Sequence, residues 1–482
     1  MEEFVNSIES QVIPITVIDT QGSFSNIPFV FFYENTEASD SFMLSDSLRN
    51  SFFRTMQQIP MFAGHIRTEG RGRVSVVVDK DNINMPDYRE SNSDVHFDDL
   101  KSAKFRWSAW PDGVNTAGPM TAADENGEIK LINVHVIRLQ ANSGVMVYVS
   151  MVHYVVDGPA HMQIIKRWCE IHQLMKSDQA EKIADMQPFI TDRSSIQHYL
   201  PKERAQLHKE TAKTFEGFSI VAEWMAWISP KLRGYIISKV IERQNAKAHL
   251  FHVSRAAFES LRDSISGYIP DIDKISDNEL MLSLTSKTRA QAQSVVESRI
   301  KGAVQPAVDT PSKGTVPVAV IFEVRDHLGL SDKLYAGNIL IPKIMCCPVA
   351  ELESATTVES LSRTLTDFRQ VTKDITLPYI ASHMDMVASR PSSFAKPLAR
   401  FMNHKSAMTF VYDVMPDMYQ GDFGYGRPAW VSPIKEFRAN GVLLLTSQDS
   451  SDGIDVFMTA LPDVMKEILK NEFWTNVAKR IY

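Results

Sequence analysis

One histidine of this chain stands in a setting where it could act as a general base. His153 begins the stretch His-Tyr-Val-Val-Asp-Gly, so that Asp157 follows four residues later and Gly158 comes directly after it. A neutral imidazole can take the proton of a hydroxyl or amine that attacks an activated acyl group. Because the chain has 13 histidines, the bare spacing is expected roughly once by chance. A core histidine whose ring nitrogens bond to neighbouring groups is the alternative interpretation.

The residues on either side of His153 change from a strand pattern to a helix pattern. Before it, apolar residues alternate from position 145 to position 151, on the face that ends in the imidazole. After Pro159, apolar residues recur every three to four positions from 164 to 175. The pattern predicts a strand, a tight turn and a helix, which together would present His153 to a cleft. Asp157 is then expected to cap the N-terminus of the helix.

A second candidate motif, Asp422-Phe423-Gly424-Tyr425-Gly426, lies near the end of the chain. Closely spaced glycines around aromatic residues are typical of a tight loop. A kinase interpretation is excluded, since the chain has no catalytic-loop HRD, no VAIK-like strand and no glycine-rich phosphate loop. Asp422, Gly424 and Gly426 are therefore expected to have a structural role.

The composition of the chain excludes several classes of protein. A formal net charge of −7 argues against binding to nucleic acid, which requires a basic surface. Three cysteines (Cys169, Cys346 and Cys347) form neither a disulfide framework nor a zinc set, so we expect no metal site and a reducing compartment. The N-terminus lacks the features of a signal peptide, and no apolar run is long enough to span a membrane. We expect a cytoplasmic, monomeric protein.

The elements that must position these motifs alternate between helices and strands. Helices are predicted at residues 43–58, 355–373 and 462–473, and strands at residues 27–33, 74–78, 130–139, 144–154, 316–324 and 441–445. This interleaving predicts the α/β class. The length of 482 residues fits two ordinary domains or one large two-lobed fold.

Taken together, the motifs resemble those of the BAHD acyltransferases, in the chloramphenicol acetyltransferase (CAT) superfamily. The HxxxDG motif lies about a third of the way along the chain and the DFGxG motif near its end, as in that family. Further similar segments are residues 44–67, 188–194 and 453–465, together with Arg325 followed by Tyr-Ala-Gly-Asn at 335–338. The similarity runs in the same order along the whole chain.

This resemblance implies two similar CAT-like lobes of mixed β-sheet flanked by helices, with a channel between them. Residues 1–186 would form the first lobe, 187–246 a crossover connection and 247–482 the second lobe, with a late segment packing back on the first. His153 would be the catalytic base in the channel. The family's aspartate points away from the substrate and pairs with an arginine, which makes Arg325 the candidate partner of Asp157.

The resemblance also suggests contacts for the acyl donor, though here the sequence departs from the family. Tyr425 stands where the loop usually has tryptophan, and Tyr412 where a Ser-Trp segment is expected near the carbonyl oxygen of the acyl donor. Thr409 and Tyr412 are therefore candidates for the oxyanion contact. Lys287 and Arg289, in a basic group that continues to Arg299 and Lys301, are candidates for binding coenzyme A. A solvated helical face is the alternative for each of these cations.

The resemblance implies an acyl-CoA-dependent acyltransferase of secondary metabolism. It would move an acyl group to a hydroxyl or amine of a small molecule, in a ternary complex without an acyl-enzyme. Acyl-CoA would be the co-substrate, and no permanently bound cofactor is expected. One alternative is a non-catalytic scaffold of the same fold. Another is a stand-alone condensation-type enzyme that uses carrier-protein thioesters, whose motif has a second histidine where this chain has Val152.

Overall fold

The computed structural model describes most of the chain. The described residues are 1–16, 18–19, 25–69, 73–114, 128–204, 246–269, 271–300, 315–389, 408–415, 418–435 and 441–482. Most of the crossover connection expected at 187–246 therefore lies outside the described residues, as does Lys301. Within the described part, no helix combines the length and apolar character needed to cross a membrane.

The N-terminal lobe is built mainly on a five-stranded sheet. Its helices are α1 (Glu2–Ser7), α2 (Ser45–Met56), α3 (Phe97–Ser102) and α4 (Gly158–Lys176), and its strands are β1 (Gln11–Ile15), β2 (Asn26–Glu34), β3 (His65–Glu69), β4 (Arg73–Val78), β5 (Asp87–Asn92), β6 (Ile132–Arg138) and β7 (Gly144–Val152). A small antiparallel sheet has the order β1-β4-β3.

The C-terminal lobe is built on a seven-stranded sheet. Its helices are α5 (Arg255–Ile265), α6 (Asp277–Ile300), α7 (Val349–Glu353), α8 (Val358–Lys373), α9 (Leu377–Ser389), α10 (Pro462–Ile468) and α11 (Glu472–Val477). Its part of the chain contributes the strands β8 (Lys247–Val253), β9 (Thr315–Glu323), β10 (Leu340–Pro348), β11 (Met408–Val411), β12 (Trp430–Pro433), β13 (Gly441–Thr446), β14 (Ile454–Ala460) and β15 (Lys479–Arg480). The sheet order is β10-β9-β11-β13-β14-β8-β15, in which β11 runs parallel to both its neighbours.

One strand of the C-terminal half belongs to the other lobe. β12 pairs antiparallel with β2, which gives the five-stranded sheet the order β12-β2-β7-β6-β5. The indole of Trp107 donates a hydrogen bond to the backbone oxygen of Pro433 at 2.9 Å and so holds the end of β12 against the N-terminal lobe. The N-terminal sheet is therefore complete only when residues 430–433 are in place.

The site-bearing strand β7 runs through the centre of this sheet, between β2 and β6. All nine of its residues are buried, although the alternating sequence pattern predicts that only one face of the strand is covered. Helix α4 packs against α2, and burial of apolar surface on both sides of the sheet is the main favourable contribution to its stability. The strand thus provides a rigid support that ends next to His153.

The predicted α/β class and the two-lobed architecture are confirmed by the structure. The predicted single helix at 462–473 is wrong, because the chain forms two short helices there, α10 and α11. The side chain of Asn471 caps the second of them by accepting a hydrogen bond from the backbone N–H of Trp474 at 3.0 Å. The division of the chain at residues 186 and 246 remains a prediction.

Candidate active site

His153 follows the last residue of β7 and lies on the wall of a cavity. Its backbone N–H donates to the backbone oxygen of Ser25 at 2.8 Å, which continues the pairing of β7 with β2 by one residue. The cavity has a volume of about 390 Å³, within the range of small-molecule sites. His153 is therefore not sealed inside the core, which was the alternative interpretation of this residue.

Both lobes contribute to the wall of this cavity. The N-terminal lobe supplies residues 27–29 of β2 and the first turns of α4, and the C-terminal lobe supplies the end of β9 and the residues that follow β11. Most of the lining side chains are apolar, for example Phe29, Met162, Leu340, Met415 and Leu443. Charged side chains, among them Lys166, Glu323 and Asp326, line other parts of the same wall.

The imidazole of His153 is held from one side. Its Nδ1 lies 2.9 Å from the side-chain Oδ1 of Asn338, which leaves Nε2 as the second ring nitrogen. Burial lowers the pKa of His153 below its ordinary value of 6.5, chiefly because the charged form loses hydration. The ring is therefore neutral at pH 7, as a general base must be.

Asp157 and Arg325 form a buried ion pair between the two lobes. Arg325 Nη1 lies 2.9 Å from Asp157 Oδ2, and Nη2 lies 2.9 Å from Oδ1. The same carboxylate caps α4 by accepting from the backbone N–H of Ala160 at 2.9 Å, and it also accepts from Ile339 N at 2.9 Å. Asp157 does not line the cavity, whereas Arg325 does. The pair ties the start of α4 to the C-terminal lobe.

Gly158 lies on the cavity wall against the side chain of Met415. A Cβ atom at this position would lie 2.6 Å from the sulfur of Met415 and 2.7 Å from its methyl carbon. A larger residue would therefore require the end of this flexible side chain to move.

The loop at 422–426 lies against the far half of α4. The Oδ1 atom of Asp422 accepts hydrogen bonds from the backbone N–H groups of Gly424, Tyr425 and Gly426 at 2.6, 3.1 and 3.0 Å. Gly424 and Gly426 have φ angles of +83° and +100°, which residues with a Cβ rarely adopt. This loop does not contribute to the cavity wall.

Neither sequence candidate for the oxyanion contact reaches the cavity. Thr409 lies within β11, and the hydroxyl of Tyr412 lies 3.3 Å from that of Ser276. The ring of Tyr412 packs on Phe322 in the core of the C-terminal lobe. Asp413, the next residue, does line the cavity.

Lys287 and Arg289, the sequence candidates for coenzyme A binding, are buried away from the cavity, which argues against that role. Both lie inside α6, and their exposed fractions are 0% and 3%. The Nζ atom of Lys287 donates to the backbone oxygen of Glu351 at 2.6 Å and to the hydroxyl of Ser354 at 3.0 Å. Helices α7, α8 and α10 all pack against α6, so its middle is covered. Arg299, near the end of α6, pairs with Glu467 at 2.7 Å.

Three carboxylates on the cavity wall, those of Glu323, Asp326 and Asp413, had no role in the sequence prediction. Burial raises the pKa of Glu323 to about 7 and that of Asp413 to about 6. Glu323 Oε1 accepts from Arg325 Nη1 at 2.8 Å, and Asp413 Oδ2 accepts from Glu323 N at 2.7 Å. The sequence signals were weak: Glu323 stands two positions before Arg325, and Asp413 directly follows Tyr412. Within the described ranges, no cluster of three or more His, Cys, Asp and Glu residues could hold a metal ion.

Comparison with known proteins identifies the family. The model described as the Transferase family matches residues 6–269 and 271–473. No curated protein matches the chain. TRI101 of F. sporotrichioides, crystallised with coenzyme A and T-2, is 15% identical with a TM-score of 0.69, and the alignment covers 98% of this chain and 100% of TRI101.

Two further solved structures have the same fold. Vinorine synthase is 14% identical with a TM-score of 0.58, and the alignment covers 96% of this chain and 97% of that protein. The first condensation domain of the CDA synthetase is 12% identical with a TM-score of 0.52, over 96% of this chain and 95% of that domain. The family match, which extends over nearly the whole sequence, is the stronger finding. The chain belongs to the Transferase family, the family of the BAHD acyltransferases whose two motifs it carries.

Proposed function

We propose that this protein is an acyl-CoA-dependent acyltransferase that acylates a hydroxyl or amine of a small molecule. The observation that carries the proposal is the imidazole of His153, kept neutral by burial, on the wall of a largely apolar cavity lined by both lobes. Membership of the Transferase family supports it. The crystal structure of TRI101 with coenzyme A and T-2 supports the choice of acyl donor.

In the proposed reaction His153 moves one proton. Its Nε2 takes the proton of the acceptor hydroxyl or amine as that atom attacks the thioester carbonyl carbon. The carbon–sulfur bond then breaks, and the departing thiolate receives the proton from the imidazolium. The products are the ester or amide and free coenzyme A, and no metal or permanently bound cofactor takes part. Asp157 and Arg325 do not exchange protons with the substrates; they hold the first turn of α4 against the C-terminal lobe.

Direct transfer in a ternary complex is part of the proposal. The thiol of Cys169 is buried and its pKa is raised well above the ordinary value, chiefly by burial. Neither Cys169 nor Cys347 lines the cavity, which argues against an acyl-cysteine intermediate. Both substrates would then meet at His153 through a channel between the lobes. Alignment of two bound reactants supplies much of the rate enhancement in such a mechanism.

The setting of the reaction is also a proposal. The absence of a disulfide framework and the negative net charge support a monomeric protein of the cytoplasm, and the apolar lining of the cavity supports a small secondary metabolite as acceptor.

Two other functions are compatible with the fold. A non-catalytic scaffold would retain the two lobes without using His153. A condensation-type enzyme would take its acyl group from a carrier protein, and the structural likeness to a condensation domain is the observation that favours this alternative. Val152 stands where that motif has its second histidine, which argues against it.

An assay of thiol release tests the proposal. The purified protein would be incubated with a panel of acyl-CoAs and with pooled alcohols and amines from a host extract, and the products identified by mass spectrometry. The replacement His153→Ala should reduce acceptor-dependent release by about 10²–10⁴-fold, the usual contribution of a general base. His198→Ala, which changes an exposed histidine, serves as the matched control and should retain full activity.

Three outcomes separate the candidates. Release that requires an acceptor and His153 supports the acyltransferase. Release only from acyl groups on a carrier protein would support the condensation-type enzyme. If no donor and acceptor pair gives release above the level of His153→Ala, the result would favour the scaffold.

A further inference from the structure

The side chain of Asn338 lies between His153 and a second buried residue, Asp19. Its Oδ1 lies 2.9 Å from His153 Nδ1. Its Nδ2 donates to the backbone oxygen of His153 at 2.7 Å and to Asp19 Oδ1 at 3.3 Å. Asn338 is only 1% exposed, so these groups determine how its amide is oriented.

The chemistry of these partners permits one orientation of the amide. A backbone carbonyl and a carboxylate accept hydrogen bonds and do not donate them. Rotation of the amide by 180° would place Oδ1 of Asn338 against both acceptors and leave them without a donor. The NH₂ group must therefore face Asp19 and the backbone of His153, and the amide oxygen must face the imidazole.

Asp19 is itself fixed by donors from other segments. It is fully buried, and its Oδ2 accepts from the N–H and hydroxyl of Thr16 at 3.0 and 2.6 Å. Its Oδ1 accepts from Asn338 N at 2.9 Å and lies 3.2 Å from Nη1 of the buried Arg193. Because both oxygens of Asp19 already accept from N–H or O–H donors, the side chain offers only acceptors to the amide of Asn338.

From this network we propose that Asn338 is a positioning residue that selects the tautomer of His153, and that Asp19 fixes the orientation of Asn338. An amide oxygen only accepts, so the proton of the neutral ring is on Nδ1. Nε2 then carries the lone pair that takes the proton of the acceptor. This inference rests on the proposed function for its catalytic consequence, though the tautomer itself can be measured without any substrate.

The alternative is that Asn338 only stabilises the junction of the lobes. A structural role would affect folding, yet it would leave the tautomer of His153 unchanged. The chain offers a matched control in Asn84, which is also 1% exposed and donates to the backbone oxygens of Gly64 and Ile129 at 2.9 Å each. Asn84 belongs to a comparable buried network that does not include His153.

The experiment combines nitrogen NMR with kinetics on the full chain. Protein labelled with ¹⁵N-histidine would be compared with its His153→Gln variant to assign the His153 signals, and two-bond proton–nitrogen correlations then show which ring nitrogen is protonated. We expect Nδ1–H in the wild type. In Asn338→Ala the ring should populate both tautomers, and kcat should fall about tenfold or more with KM little changed. Asn84→Ala should change neither property.

Several results would overturn the proposal. A wild-type spectrum with the proton on Nε2 does so by itself, even if no replacement of Asn338 folds. The proposal would also be overturned if the Asn338→Ala protein folds and its His153 keeps the wild-type tautomer. In Asp19→Asn, which retains an acceptor oxygen but removes the charge, a partial shift of the tautomer supports the role of Asp19 and an unchanged spectrum contradicts it. If the spectra agree with the proposal but no acyl transfer is found, only the proposed function fails.

Discussion

Asp413 shows how the cavity affects a single residue at the site. Its carboxylate lies in surroundings of low polarity, where burial raises its pKa from 3.8 to about 6 and the nearby Asp326 adds to the shift. Because the pKa is higher in the folded protein than in the unfolded chain, folding is penalised once the unfolded chain ionises. The penalty is absent below pH 3.8, grows as the pH rises and is complete above about pH 6.

The replacement Asp413→Asn should therefore stabilise the protein at high pH only. The amide keeps an oxygen that can accept from Glu323 N, while the buried charge is removed. At pH 8 we expect the free energy of unfolding to rise by about 1–2 kcal/mol, which is less than the full pKa difference would give because the carboxylate is partly exposed to the cavity. Urea denaturation at pH 4 and pH 8 measures the change. Asp332→Asn, at an exposed aspartate, should have no effect, and an equal gain from Asp413→Asn at both pH values would contradict the explanation.

Individual residues of the site differ in how far the sequence could identify them. His153 could be found because its motif is local, and the resemblance to the family placed Arg325 opposite Asp157. Asn338 contacts His153 from 185 positions away, and no periodicity links two such residues. The burial of Lys287 and Arg289 could not be predicted, because the sequence of a helix does not show which of its cations other helices cover. Asp413 belongs to no recognisable motif, and the resemblance to the family pointed to its neighbour, Tyr412.

Helix α4 is the element that connects the two motifs. Its first turn carries the Asp157 cap, and near its other end Gln173 and Lys176 donate hydrogen bonds to the backbone oxygens of Asp422 and Gly424 at 2.5 and 2.8 Å. The ammonium group of Lys176 also lies 3.4 Å from the centre of the Tyr425 ring. The loop thus supports the site from a distance, by fixing the helix whose first turn borders the cavity.

Replacement of Asp422 should disrupt this support. Asp422→Ala removes the acceptor of three backbone N–H groups, of which those of Gly424 and Gly426 are exposed and can bond to water instead. We therefore expect the free energy of unfolding to fall by about 1–3 kcal/mol. The milder control is Tyr425→Trp, which restores the residue usual in the family. It keeps an aromatic face for Lys176 and loses only the hydrogen bond from the hydroxyl to Ser41 O, so stability should stay within about 1 kcal/mol of the wild type. Equal stability of the two variants in urea denaturation would show that Asp422 does not hold the loop.

Helices and strands were predicted best where apolar residues recur at a regular spacing over a continuous stretch of the chain. The patterns before and after His153 identified β7 and α4, and the run at 27–33 identified β2. The helical spacing of apolar residues at 462–473 gives no sign of an interruption at Asn471. In the structure the side chain of Asn471 caps a second helix, which begins at the next residue. The pairing of β12 with β2 could not be predicted from composition or period, since the partners are about 400 positions apart and register depends on the folded sheet.

At the scale of the whole molecule, each lobe depends on the other. The two hydrophobic cores are separate sets of residues, yet β12 completes the N-terminal sheet and the Asp157–Arg325 pair crosses between the lobes. Both side chains of this pair are almost fully buried, with exposed fractions of 0% and 4%. A buried charge that loses its partner is strongly destabilising, whereas loss of both charges costs much less.

A double-mutant cycle on Asp157 and Arg325 should therefore be strongly non-additive. Arg325→Met leaves the carboxylate of Asp157 buried without its cation and should lower the free energy of unfolding by about 3–5 kcal/mol. Asp157→Asn can still cap α4 through its amide oxygen, although it leaves the guanidinium with only Glu323 as a charged partner. The double variant should be more stable than the sum of the two losses predicts, by about 2 kcal/mol or more.

A surface pair shows whether this coupling depends on burial. Lys101 and Glu34 lie 2.8 Å apart with exposed side-chain fractions of 47% and 24%, and the cycle with Lys101→Met and Glu34→Gln should give a coupling below about 1 kcal/mol. Both cycles would be measured by urea denaturation, followed by fluorescence and by circular dichroism. Since the shared strand and the buried pair join the lobes, the two probes should report a single transition whose midpoint moves as a whole in Arg325→Met. A second transition in that variant, or similar couplings for the two pairs, would mean that the lobes are stabilised independently and that the Asp157–Arg325 pair does not join them.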